Sequence, residues 1–199
     1  MNNRQAQLIS RMKDREVLFH LYITQLLLLI AAGISAFFLF KDVETFKSVW
    51  EVDLPEVLIY GGGSAFIVIV IDLVLMKFLP KSLLDDGGIN EKVFRKRTIP
   101  HIFLLAAVIA FSEELLFRGI VQTNFGIVIA SIVFALLHYR YLLKWVLLLA
   151  VVLLSFLLGV LYELTENLWV TIFSHFLIDA VFAIKIRIDY LKDGSNKSY

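Results

Sequence analysis

Apolar residues in this chain come in long runs, and charged residues gather between them. Val17 to Phe40 carries no charge and is interrupted only by His20, Gln25 and small polar groups. Val57 to Leu79 is a second run, with Asp72 inside it, and Ile102 to Ile120 a third, holding Glu113, Glu114 and Arg118. Ile127 to Leu143 follows with His138 and Arg140, then Trp145 to Leu161 with no charge, then Leu168 to Ile184 with His175 and Asp179. About 20 apolar residues cross a bilayer as a helix, and the last three runs sit at the short end of that range. Backbone groups in lipid must be satisfied within their own segment, so the runs predict helices. The period-two alternation of a barrel strand is absent. The expected fold is all-α, a polytopic membrane protein of about six transmembrane helices forming one membrane-embedded domain over residues 1–199.

The breakers fall at the expected edges. Pro55, Pro80 and Pro100 all lie at run boundaries, and Asp85-Asp86-Gly87-Gly88 reads as a turn between the second and third runs. Trp50, Trp145 and Trp169 sit beside run ends, where an indole prefers the headgroup level. Basic residues precede the first run, but that run is long and has no evident small-residue cleavage site, which predicts a retained helix rather than a signal peptide. Gly61, Gly62 and Gly63 read as a site of close helix contact.

Composition agrees. The chain is 59% hydrophobic and 19% charged over 199 residues, with mean hydropathy +0.81; soluble chains run about 45–50% apolar and 25% charged. The net charge of +1 offers no basic face for nucleic acid. Zero cysteines exclude disulfides, thiolate zinc sites and a cysteine nucleophile. Lys and Arg are distributed unevenly. The N-terminal tail, the second loop, the fourth loop and the C-terminal end hold sixteen of them, whereas the first loop holds only Lys41 and Lys47. Positive residues stay inside, so both termini are expected in the cytoplasm. The chain is expected to be an integral membrane protein, in the cell membrane if it is bacterial.

The chemistry should lie where charge is costly. An ionisable group at mid-span costs about 2.5–3.5 kcal/mol on the insertion scale and usually faces the bundle interior. Glu114 and Arg118 are four apart on one helix face and read as a structural ion pair. Glu113 points about 100° away and has no local partner. His175 and Asp179 are four apart, so Asp179 can orient the ring or hold its second nitrogen. No serine has the context of a nucleophile. Straight helices would leave Glu113 roughly 18 Å and His138 roughly 9 Å from the cytoplasmic ends of their spans, so a later helix start or a tilt is needed to bring them level.

Three pieces in order, Glu113-Glu114-x-x-x-Arg118, Phe134-x-x-x-His138 and His175-x-x-x-Asp179, resemble the motifs of the CPBP family. This is the CAAX-processing and bacteriocin-processing group of intramembrane proteases, also called Abi. The resemblance covers about Phe111 to Asp179, within a motif-bearing core of about residues 102–184. It implies endopeptidase action on a membrane-associated or lipidated peptide or protein at the bilayer. The catalytic set would be Glu113, His138, His175 and Asp179: Glu113 takes a proton from water, His138 positions the water, and His175 with the fourth residue faces the oxyanion. Some relatives have Asn where this chain has Asp179. An ionised Asp cannot donate to an oxyanion, which makes a divalent metal such as zinc, held by Glu113, His138 and His175, the alternative assisting group; no other cofactor is implied. Two other functions stay open. One is a catalytically idle immunity or interaction protein of the same fold. The other is a small proton-coupled transporter, although the inverted repeat expected of one is not found.

Overall fold

The computed structural model describes residues 11–142 and 144–195, and all regular structure among them is helical. The elements are α1 (Asp14–Leu39), α2 (Val43–Ser48), α3 (Leu54–Phe78), α4 (Lys81–Leu84), α5 (Ile89–Phe94), α6 (Ile99–Glu114), π-helical turns over Leu115–Gln122, α7 (Thr123–Leu137), α8 (Trp145–Thr165) and α9 (Leu168–Ser195). Five helical segments are long and apolar enough to cross a membrane: α1, α3, the continuous 39-residue stretch Ile99–Leu137, α8 and α9. The chain is a polytopic helical membrane protein.

Local chemistry sets the helix starts. Asp42 and Asp53 cap α2 and α3 by accepting from the backbone N–H of Thr45 (2.7 Å) and Glu56 (3.0 Å). Pro55 and Pro100 occupy first-turn positions, where a missing N–H costs nothing. Buried Asn167 accepts from the N–H of Trp169 at 3.0 Å and opens α9.

The 39-residue stretch is folded back on itself. Gly126, at φ 82° and ψ 166°, leaves helical geometry, in a region that a residue with a Cβ rarely enters. Beyond it the chain returns, and the Phe134 ring meets Phe117 edge-on at 4.9 Å. The expected third and fourth spans are therefore the two limbs of this stretch. The fourth ends at Leu137 rather than Leu143. Its straight part, residues 127–137, rises only about 16 Å, roughly half the hydrocarbon thickness. His138 and the 3₁₀ turn Tyr139–Tyr141 follow, then α8 begins at Trp145.

Packing follows parallel pairs. Val17 shares a cluster with Ile102 and Leu105, and Ala32 shares one with Phe117 and Ile120, so α1 runs alongside α6 in the same direction. In the same way α9 runs alongside α3. A Cβ on Gly61 would lie 2.8 Å from the Val170 carbonyl oxygen, and the Ser64 and Ser174 hydroxyls meet at 2.9 Å. Small residues let backbones approach closely in lipid, which is the contact expected of the glycine run; Gly63 itself faces open space.

The two ends of the bundle differ in charge. At one end Arg95 grips Asp14 with two nitrogens (2.8 and 3.2 Å), Arg187 donates to the Arg95 carbonyl (3.1 Å), and Lys144 reaches the Asp85 carbonyl. At the other end a cavity of about 650 Å³ is lined by Glu51, Asp53, Glu56, Glu163 and Glu166 among polar neighbours.

Candidate active site

The bend at Gly126 brings the motif residues level. Glu114 lies twelve residues before Gly126 and His138 twelve residues after it, on limbs that pack side by side. The depth mismatch expected from straight spans is reduced because α7 stops at Leu137, with His138 and the 3₁₀ turn Tyr139–Tyr141 directly after it.

Glu114 and Arg118 form the centre. Both are fully buried, at 0% and 1% exposure, in a region where an unpaired charge would be very costly. Arg118 Nη1 donates to Glu114 Oε1 at 3.2 Å, and Nε approaches Oε2 at 3.2 Å without the alignment of a hydrogen bond. Arg118 is carried on the π-helical turns that begin directly after Glu114. Such widened turns are rare and concentrate at functional sites. The guanidinium also lies 5.0 Å from the centroid of the Phe134 ring, a cation–π distance.

Both histidines are anchored through Nδ1. His175 Nδ1 lies 2.8 Å from Glu114 Oε1, joining residues 61 positions apart. A carboxylate held by Arg118 accepts, so this nitrogen carries a proton. His138 Nδ1 lies 2.9 Å from the Phe134 carbonyl; a carbonyl can only accept, so this nitrogen is also protonated. In each ring Nε2 is left for chemistry, the arrangement in which a hydrogen bond at one nitrogen sets the role of the other. Asp179 Oδ2 stands 3.7 Å from His175 Nε2, too far for a hydrogen bond. The hydrogen bond on His175 is made by Glu114 at Nδ1, while Asp179 faces the second nitrogen within ion-pair distance.

Glu113 is different. It is half-buried and makes no side-chain hydrogen bond among the described residues. It leaves α6 about 100° around from Glu114, so the pairing that neutralises one carboxylate leaves the other uncommitted.

Ser155 of α8 was not marked by its sequence context. Its carbonyl and hydroxyl both accept from Arg118 Nη2, at 2.8 and 3.1 Å. It sits on an uncharged run 37 residues away, so no spacing rule could have paired it. Gln25 behaves similarly: Ser112 Oγ donates to its Oε1 at 2.5 Å, tying α1 to α6 one residue before Glu113. Among the described residues no three His, Asp or Glu side chains are grouped as metal ligands.

Residues 95–181 match the family described as "Type II CAAX prenyl endopeptidase Rce1-like", a span that takes in Glu113, Glu114, Arg118, His138, His175 and Asp179. Through that part of its length, a little under half the chain, it is similar to the CPBP/Rce1-like family of intramembrane proteases. It is also 49% identical over 169 residues to "Uncharacterized protein YpbD" of Bacillus subtilis (strain 168), covering 85% of this chain and 89% of that protein. No solved structure matches the chain.

Proposed function

We propose that this protein is an intramembrane endopeptidase that hydrolyses a peptide bond in a membrane-associated or lipidated substrate. The observation that carries this reading is a half-buried Glu113 next in the chain to Glu114, which holds His175 by Nδ1, together with a His138 whose Nδ1 is also fixed. Glu113 takes a proton from water, and His138 Nε2 helps to hold that water. The oxygen adds to the scissile carbonyl carbon. His175, doubly protonated with Nδ1–H on Glu114, offers Nε2–H to the oxyanion. The C–N bond then breaks, and Glu113 returns its proton to the leaving amine. The first test compares peptides from membranes carrying wild-type or Glu113→Gln protein. Cleavage products present only with the wild type support the reading, and identical profiles count against it.

A divalent metal such as zinc, with Glu113, His138 and His175 as its holders, would be bound through the Nε2 atoms that Glu114 and the Phe134 carbonyl leave available, and would supply Lewis-acid activation of water. A strong chelator tests such a metal, and hydrolysis within about twofold of its starting rate after treatment would leave it out. Loss of turnover on chelation, restored by stoichiometric zinc, would put the metal into the mechanism.

The basic end of the bundle is proposed to face the cytoplasm, with both termini there and, in a bacterium, the cell membrane as the location. Reporter fusions after residues 16, 90 and 195 should read cytoplasmic, and fusions near 50 and 165 should read the opposite side. A cytoplasmic signal at both 50 and 165 would overturn this orientation and the six-span arrangement.

A further inference from the structure

We propose that Ser155, in the uncharged run of α8, is a positioning residue that holds His175 in its working orientation through Arg118 and Glu114. This rests on the peptidase reading for its catalytic meaning, whereas the geometry stands alone. Four side chains form a continuous buried line. Ser155 accepts from Arg118 Nη2 through its hydroxyl (3.1 Å) and its carbonyl (2.8 Å), Arg118 Nη1 donates to Glu114 Oε1 (3.2 Å), and the same Oε1 meets His175 Nδ1 (2.8 Å). Exposure is 1%, 1%, 0% and 4% along the line, so water does not compete for any of these bonds. In such surroundings each bond polarises the next.

The end of the line matters because Glu114 Oε1 serves two donors, Arg118 Nη1 and His175 Nδ1. The carboxylate can be in register with the imidazole only while the guanidinium stays where it is. Arg118 has a long, rotatable stem, and two contacts outside its own helix fix its head. One is the Phe134 ring beneath it (5.0 Å), which restrains it toward and away from the ring. The other is Ser155, which sets its rotation in the guanidinium plane by taking one Nη2 with two oxygens. The Phe134 contact has a second consequence: the carbonyl of this residue holds His138 Nδ1. One guanidinium thus connects both histidines, and α8, which bears none of the motif residues, controls its angle.

The test uses full-length protein in detergent micelles or proteoliposomes, with Ser155→Ala and Ser155→Thr. Ala removes the hydroxyl acceptor and keeps the carbonyl; Thr keeps both. Loss of an outer partner of a working histidine typically costs 10–100-fold. Ser155→Ala should therefore lose roughly tenfold or more in kcat, with KM within about twofold, and Ser155→Thr should recover most of the loss. The second readout does not depend on turnover. The chain has four histidines, so isotope-labelled imidazole signals can be assigned one at a time. His175 should show a protonated, slowly exchanging Nδ1 in the wild type and in Ser155→Thr. In Ser155→Ala its signals should shift or broaden, while those of His20 and His101 stay in place. Unchanged His175 signals in Ser155→Ala overturn the inference whatever the activity. Altered signals in a protein that cleaves no peptide would uphold the geometry and remove the peptidase reading instead.

Discussion

Glu113→Gln is expected to reduce peptide hydrolysis by about 10² or more while the protein still inserts, folds and binds substrate. The substitution keeps size and hydrogen-bonding reach and removes proton acceptance. Because the half-buried Glu113 side chain makes no hydrogen bond among the described residues, no bond is lost with its charge. His138→Ala and His175→Ala should be impaired on a similar scale, because water placement and oxyanion stabilisation each contribute at that level. Asp179→Asn should retain or gain activity. At 3.7 Å from His175 Nε2 the carboxylate is not needed to hold the ring, and Asn adds a donor facing the oxyanion. A purified-enzyme assay with one defined peptide decides all four. Full activity of Glu113→Gln would dispose of the mechanism, and an inactive Asp179→Asn would show that the charge of Asp179 is used.

Arg118→Ala should be the most destabilising single change in the site. It strands the fully buried Glu114 carboxylate, and breaking a buried pair from one side costs about 3–5 kcal/mol. It also removes the two hydrogen bonds to Ser155 and the contact with the Phe134 ring. Glu114→Gln should fall in the same direction, by less, because an amide oxygen still accepts. Glu113→Gln breaks no bond and should stay within about 1 kcal/mol of wild type. Thermal melting of the purified variants reads the order. Equal melting temperatures for all three would remove the structural role given to Glu114 and Arg118.

Sequence periodicity and residue chemistry made the local facts legible and left the distant ones hidden. The apolar runs located the long helices because a bilayer imposes length and backbone satisfaction on each segment independently. The Glu114–Arg118 pair was readable because four residues along a helix make neighbours. The same rule paired Asp179 with His175, and its carboxylate lies 3.7 Å from Nε2. Spacing shows that two side chains can meet, but it does not show that a third residue, Glu114, arrives from another helix at 2.8 Å. Ser155 and Arg118 are joined only by tertiary packing. The early end of α7 was hidden because Leu142 and Leu143 continue the apolar pattern after the helix has stopped. The π turns after Glu114 have no signature in a pattern read at 3.6 residues per turn. Gly126 falls between the third and fourth runs, but no spacing rule marks it as the point where the chain turns back, which its backbone conformation sets.

The central claim is that water, activated at Glu113, is added across a peptide bond within the membrane. The most direct measurement reconstitutes wild-type and Glu113→Gln protein in liposomes with a single membrane-anchored peptide in H₂¹⁸O, followed by mass spectrometry of the products. The expected result is two fragments whose masses sum to that of the peptide plus one water, with one ¹⁸O in the new carboxylate, from wild-type protein only. An intact peptide with both proteins, or cleavage undiminished by Glu113→Gln, would contradict the account.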